Sequence, residues 1–383
     1  MKSLAAALFT ALIVSSAHAA AWAEDPSSTH WDRPAEATSG GVTTADLYPE
    51  SCGRCHPDQF RDWSGSLHRR SVGPGLTGQL RPQEDPGFAA SCYYCHAPLV
   101  EQAELGASDE GFAENPLFDA KLKGSGVSCA ACHARKGVVY GPRAPRNVPK
   151  ADGEGHASVK GAFFSQADFC AACHQLDKGF RFNGTPLTNT YREWEGSPFA
   201  KAGVPCQGCH MPGRRHLFRG IHDPEMTRSG VEIESGLLPG GKGEVSAHLA
   251  IRNTGAGHML PTYVTPSIVV RGFFIGAGGE AIPGTAEEKT IGRRVAVDLS
   301  RELFDTRIPT GGAFRFDYRR QRPGDAVGIV FEVWVHPDEF YNRFFGAMLS
   351  GAGPGQRPLL ARARKATEAS VYLLYREELP LDE

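Results

Sequence analysis

The chain has no cysteine outside five short motifs. Its ten cysteines fall in pairs: Cys52 and Cys55, Cys92 and Cys95, Cys129 and Cys132, Cys170 and Cys173, Cys206 and Cys209. None is left for a disulfide framework of varied spacing or for a lone reactive thiol. Long apolar runs are missing too. After the first 23 residues no stretch is apolar for long enough to span a bilayer, so no membrane span is expected. Neither sign of charge is in excess, with 41 Lys and Arg against 43 Asp and Glu, and a basic surface for nucleic acid is not expected. Isoleucine is nearly absent from residues 24–229, where Ile221 is the only one, whereas eight follow residue 230. The earlier part lacks the β-branched aliphatics of an ordinary core. This shift, near residues 228–232, predicts a boundary between a first domain, 24–229, and a second, 230–383.

What stands in place of those residues is a histidine directly after every second cysteine. The motifs are Cys52-Gly-Arg-Cys55-His56, Cys92-Tyr-Tyr-Cys95-His96, Cys129-Ala-Ala-Cys132-His133, Cys170-Ala-Ala-Cys173-His174 and Cys206-Gln-Gly-Cys209-His210. C-x-x-C-H is the attachment signal for c-type haem. Two thiols add across the porphyrin vinyl groups, and the adjoining His reaches the iron from one face. A zinc site built from C-x-x-C pairs does not need that His, and a redox dithiol occurs once rather than five times. The expectation is five covalent haem c groups, with His56, His96, His133, His174 and His210 as proximal ligands. The porphyrins would then be the core of residues 24–229, wrapped by short helices and irregular chain that Gly and Pro interrupt.

Residues 1–23 read as a secretory signal peptide: a Lys, an apolar stretch at 4–14, and small-residue cleavage sites ending at Ala19 and Ala23. The first cysteine is Cys52, so a lipoprotein anchor is not expected. The address is periplasmic, with extracellular release left open.

A sixth ligand on each iron makes an electron carrier, and an open face makes a catalyst. Eight histidines beyond the motifs follow the signal peptide. His68, His156, His216, His222 and His258 are the candidate distal ligands. Gly255, Ala256 and Gly257 would let the His258 loop come close to a porphyrin, so that the second domain acts as a lid. His248 is expected to face solvent, His336 to be structural, and His30 to lie near the mature N-terminus. Met211, Met226 and Met259 remain alternative axial ligands. Arg61, Arg69, Arg70, Arg214, Arg215 and Arg219 are expected to offset the haem propionates.

Two internal likenesses stand out. The motifs recur every 36 to 41 residues, a weak repeat. Asp62-Trp63-Ser64-Gly65-Ser66 resembles Glu193-Trp194-Glu195-Gly196-Ser197, and each is expected on a short helix near a haem. Residues 106–115 and 145–155 read as surface loops. Beyond residue 230 the pattern alternates. Strands are expected at 244–252, 267–276, 328–335 and 371–375, with a helix at 359–369, which predicts an all-β immunoglobulin-like sandwich.

The segment Cys52 to His68, with Trp63 and Ser66 inside it, resembles the opening of multihaem cytochromes related to the tetrahaem cytochrome c of ammonia oxidisers. Thr190-Tyr-Arg-Glu-Trp194 leading to Cys206, and Gly257-His258-Met-Leu-Pro261-Thr262, are similar to further blocks of that group. The resemblance covers about residues 48–68, 165–222 and 253–262. It implies stacked haems, mostly bis-His ligation, His68 as a distal ligand and electron transfer without catalysis. The partners would be other cytochromes or a quinol oxidase or reductase, and homo-oligomerisation stays open. The fifth haem and the long C-terminal domain depart from the tetrahaem pattern. Two other functions stay open. One is a reductase of nitrite, hydroxylamine or a sulfur oxyanion with one open iron, although the C-x-x-C-Lys motif of pentahaem nitrite reductases is absent. The other is a subunit of a cytochrome filament.

Overall fold

The structure is a computed structural model, described for residues 35–38, 41–80, 86–108, 111–143, 158–176, 181–241 and 243–381. The expected signal segment, His30, the 145–155 loop and His156 lie outside the described residues. The chain packs into two compact units. One gathers the segments up to Cys173, Pro205–Phe218 and Leu349–Ala363; the other gathers His174–Val204, Arg219–Met348 and Arg364–Glu383.

In the first unit the helices are short, and proline opens several of them: Pro49–Gly53, Pro57–Ser64 and Pro74–Gln79. Proline suits that position because its missing N–H has no partner in the first turn. The buried cluster holds Leu47, Leu99 and Leu122 with Ala35, Ala37, Ala130, Ala131 and Ala134, which matches the scarcity of aliphatics in this half. Polar side chains organise the loops instead. Glu101 is fully buried and accepts from the N–H groups of Ala37 and Thr38 at 2.8 and 2.7 Å. Gln102, equally buried, donates to the carbonyls of Leu122 and Gly126. The stretch expected as a loop at 106–115 is a hairpin of β1 (Leu105–Ser108) and β2 (Gly111–Glu114). Its polar, glycine-containing sequence hid the pairing of the two strands. After the third motif, β3 (Ala134–Arg135), β4 (Val138–Gly141) and β5 (Ser158–Lys160) form a small sheet.

The second unit begins with a hairpin of β6 (Arg181–Phe182) and β7 (Thr185–Pro186). Eight further strands follow: β8 (Val231–Leu238), β9 (Glu244–Asn253), β10 (Ser267–Ile275), β11 (Glu287–Val295), β12 (Glu302–Asp305), β13 (Ala313–Gln321), β14 (Gly328–His336) and β15 (Tyr372–Pro380). They form a sheet in the order β12-β11-β10-β14-β15 and another in the order β13-β9-β8, with antiparallel neighbours throughout. Read as successive strands of an immunoglobulin fold, these are the C″C′CFG and EBA sheets. Ala247, Leu249 and Ile251 of β9 are buried as the alternation predicts, but Ser246 and Ala250 on its other face are buried too. Ala247, Leu249 and Ile251 join Phe316 and Tyr318 of β13 in one core with Ile268, Val270 and Phe274 of β10 and Ile329, Phe331, Val333 and Val335 of β14.

The helix expected near 359–369 spans Arg357–Ala369, and a second, Glu339–Leu349, precedes it. Arg293 of β11 is almost wholly buried. It pairs with Glu302 at 2.7 Å and donates to the carbonyls of Pro186 and Thr185. This ties the β6–β7 hairpin to the sandwich.

Candidate functional site

Each motif sits on or against a short helix. Cys52 lies in Pro49–Gly53, and His56 precedes Pro57–Ser64. The other four occupy Pro86–His96, Cys129–His133, Asp168–His174 and Cys206–His210. One helical turn presents both thiols and the imidazole from a single short stretch. The thiols of Cys52 and Cys129 hydrogen-bond each other, as do those of Cys170 and Cys206. The Cys129 and Cys170 thiols are pushed up by these bonds and by burial. The cysteines of the first motif thus lie against those of the third, and those of the fourth against those of the fifth.

Two of the motif histidines are held in the form a metal needs. Nδ1 of His96 lies 2.9 Å from the Ser71 carbonyl oxygen, and Nδ1 of His133 lies 2.8 Å from that of Tyr140. Only an N–H can meet a carbonyl, so Nδ1 carries the proton and Nε2 the lone pair. Second partners of this kind orient metal-ligating histidines. Burial lowers the His96 pKa and favours its neutral form. Nδ1 of His174 hydrogen-bonds the Tyr263 hydroxyl. Thiol pairs and tautomer-fixed imidazoles are a donor set that fits haem c.

The distal candidates differ sharply. His216 donates Nδ1–H to the Arg214 carbonyl at 3.1 Å, and its ring centre lies 6.1 Å from that of His133. Two metal–nitrogen bonds of about 2 Å, plus about 1.1 Å from nitrogen to ring centre on each side, come to about 6 Å. The pair therefore has the spacing of two imidazoles on one metal. The His68 ring lies 4.4 Å from that of Phe218, tilted by 56°, and the His68 carbonyl accepts the Val127 N–H. His258 has Nδ1 at 2.8 Å from the Met259 carbonyl, and its own carbonyl accepts from Asn253. His222 is turned the other way. Its Nε2 meets the Asp338 carboxylate at 2.9 Å, leaving Nδ1 as the lone-pair nitrogen.

Several expectations change. His248 is half-buried, with Nδ1 shielded from solvent, rather than facing water, because Gly236 on the neighbouring strand leaves room beside it. The small residues before His258 lie close to protein atoms. A Cβ on Gly255 would fall 2.3 Å from the Ser229 carbonyl, and one on Gly257 would fall 3.2 Å from Trp194. Four of the arginines expected to face propionates bind protein groups: Arg61 to Asp58, Arg69 to the Gly124 carbonyl, Arg215 to Asp62, and Arg219 to Asp223 and Glu225.

The Arg215 guanidinium holds the Asp62 carboxyl below its usual range, helped by the His216 N–H. A depressed folded value means the stabilisation is present above the unfolded pKa of about 3.9 and is lost as pH falls through the folded value. Asp62→Asn is therefore expected to flatten the acid side of the stability profile below about pH 4. Urea unfolding across that range, with equal acid slopes for variant and parent, would count against this role.

Among the described residues no helix is long and apolar enough to cross a membrane. Residues 51–134 match the family model described as cytochrome c554 and c-prime. No curated protein matches the sequence at a significant level. The fold is similar to the crystal structure of a penta-heme cytochrome c552 from Thermochromatium tepidum. The TM-score is 0.61 at 19% identity, over 89% of this chain and 99% of that one. A structural-genomics target solved by X-ray, 13% identical with a TM-score of 0.14, covers 27% of this chain and 70% of its own and carries no weight. The chain has the fold of a multihaem c-type cytochrome followed by an antiparallel β region, with a cytochrome c554-type segment at residues 51–134.

Proposed function

We propose that this chain is an exported pentahaem cytochrome c that passes electrons between redox partner proteins. The ten motif cysteines would hold the five groups, and His56, His96, His133, His174 and His210 would ligate their irons from one side. His216 would close the iron of His133 from the other side. His68, His156, His222 and His258 are the remaining distal candidates. In this reading residues 24–229 are the haem domain and 230–383 the β-domain. When bound, haem c supplies a one-electron iron couple whose potential follows axial ligation and burial.

The observation that carries the reading is the His133–His216 pair, spaced for one metal, with both Nδ1 atoms committed to carbonyls. The motif residues do the rest. Cys52 against Cys129, and Cys170 against Cys206, bring attachment sites together as a relay requires. Backbone carbonyls orient the ligating imidazoles and fix the proton on Nδ1, and burial favours the neutral form of His96 and His216.

Intact mass after acid denaturation, with the electron paramagnetic resonance spectrum and carbon monoxide binding of the oxidised and reduced protein, tests this. Five added haems, low-spin iron and no carbon monoxide response are expected. A full complement of high-spin iron at one site, with turnover of nitrite or hydroxylamine, would replace the carrier with a reductase. Fewer than five haems from cells with a working attachment system would end the pentahaem assignment.

A further inference from the structure

We propose that the two acid–tryptophan helices are copies of one clamp, each fixing a distal-histidine loop to the chain that leads into an attachment motif. This rests on the haem reading above and assigns Asp62, Trp63, Glu193 and Trp194 as positioning residues.

In the first copy, Trp63 on Pro57–Ser64 donates its indole N–H to the Val127 carbonyl at 2.8 Å. Val127 stands two residues before Cys129. Its neighbour Asp62, buried, accepts from Arg215 at 2.7 and 3.1 Å and from the backbone N–H of His216 at 3.2 Å. In the second copy, Trp194 on Thr190–Glu195 donates to the Val204 carbonyl at 2.9 Å, and Val204 stands two residues before Cys206. Its neighbour Glu193 accepts from Arg307 at 2.9 Å and from Thr262 Oγ1 at 2.6 Å. It also accepts, at 3.2 Å, from the backbone N–H of Met259, the residue after His258. Gly-Ser follows each helix, and the N–H of Ser66 and of Ser197 donates to the carbonyl of its tryptophan.

A shared five-residue sequence does not by itself produce shared partners. Val127 lies 64 residues from Trp63, and Val204 lies 10 from Trp194. Arg215 lies 153 residues from Asp62, and Arg307 lies 114 from Glu193. The same four groups still converge: a carbonyl ahead of a motif, an arginine, a backbone N–H in a histidine loop, and the acid–tryptophan pair. The bonds suit this task. A partly buried indole N–H needs a partner, and a carboxylate accepting from a guanidinium and an amide makes strong, directional bonds. Gly257 lets the His258 loop lie directly on Trp194, where a Cβ would fall 3.2 Å from Cδ1. In the first copy the result is visible, because His216 stands at metal-bridging distance from His133, the histidine of the very motif that Trp63 anchors.

The test uses the haem-loaded full chain. Loss of outer partners of metal ligands weakens ligation on the order of 10–100-fold. Glu193→Gln and Trp194→Phe should each give one iron per molecule that binds carbon monoxide and shows partial high-spin character. Added imidazole should restore the low-spin spectrum, and Glu193→Asp should stay close to the parent. Glu193→Gln placed in a His258→Ala background should open no second iron. Asp62→Asn should stand in the same relation to His216→Ala. Trp194→Phe removes the donor while keeping a smaller aromatic side chain, so it carries the same expectation where Glu193→Gln fails to accumulate. The clamp is overturned if His258→Ala opens an iron while Glu193→Gln or Trp194→Phe leaves spectrum and carbon monoxide response unchanged. If His216→Ala and His258→Ala are both silent, the ligation reading fails, and the clamp fails with it.

Discussion

Replacing His216 by Ala is expected to leave one iron of the loaded protein high-spin and open to carbon monoxide, with the haem count by intact mass unchanged. The expectation follows from three constraints on one side chain. The backbone N–H of His216 is bonded to Asp62, and its Nδ1 to the Arg214 carbonyl. Its ring stands 6.1 Å from the ring of His133. The first two fix where the loop runs and which nitrogen carries the lone pair. The third puts that loop at the span of two axial bonds. Alanine removes the ligand and leaves the Asp62 bond to the backbone, so the loop stays in place and the iron has nothing to take instead. The change is all or none for one centre, which makes it larger than any shift in potential. His248→Ala is the matched control, because that residue lies on β9 and should leave the spectrum as it was. A low-spin spectrum indifferent to carbon monoxide after His216→Ala would show that the 6.1 Å pair is a packing contact.

Phe331→Ala should cost the β-sandwich about 3–5 kcal/mol, a large share of the 5–15 kcal/mol that a domain has in total. Phe331 is fully buried on β14 and makes edge contacts with Phe316 at 5.9 Å and Tyr318 at 6.4 Å. Its pairing partner on β10 is Gly272. A Cβ there would fall 2.9 Å from the Phe331 ring and 3.0 Å from that of Phe316. The rings of Phe331 and Phe316 therefore fill the space that one glycine leaves, and neighbouring backbone in paired strands cannot collapse into the gap alanine would make. Thermal or urea unfolding followed by tryptophan fluorescence reads the loss. A change below about 1 kcal/mol would mean that the core repacks.

Much of the site was legible in the sequence because its chemistry is local. Two thiols and an imidazole needed at one porphyrin can be supplied by five consecutive residues, so ten cysteines and five histidines announced themselves without any fold. Four of the sandwich strands, β9, β10, β14 and β15, were legible for a similar reason, whereas β8, β11, β12 and β13 were not. The apolar positions of β9 and the apolar run of β14 point to burial directly, and the scarcity of isoleucine before residue 230 marked a half without an ordinary aliphatic core. The helix Glu339–Leu349 and the β1–β2 hairpin were missed, because their local signals are weak.

Which histidine faces what depends on contacts between distant parts of the chain. Asp62 reaches the backbone of His216 from 154 residues away, and no local propensity encodes a contact that depends on how long loops close. The orientation of an imidazole is decided in the same way. His216 and His258 turn Nδ1 to a nearby carbonyl, whereas His222, six residues beyond His216, gives its Nε2 to Asp338. All three are the same residue in sequence. The partner that folding brings to each ring decides which nitrogen keeps a lone pair, and so which face of the imidazole can meet a metal.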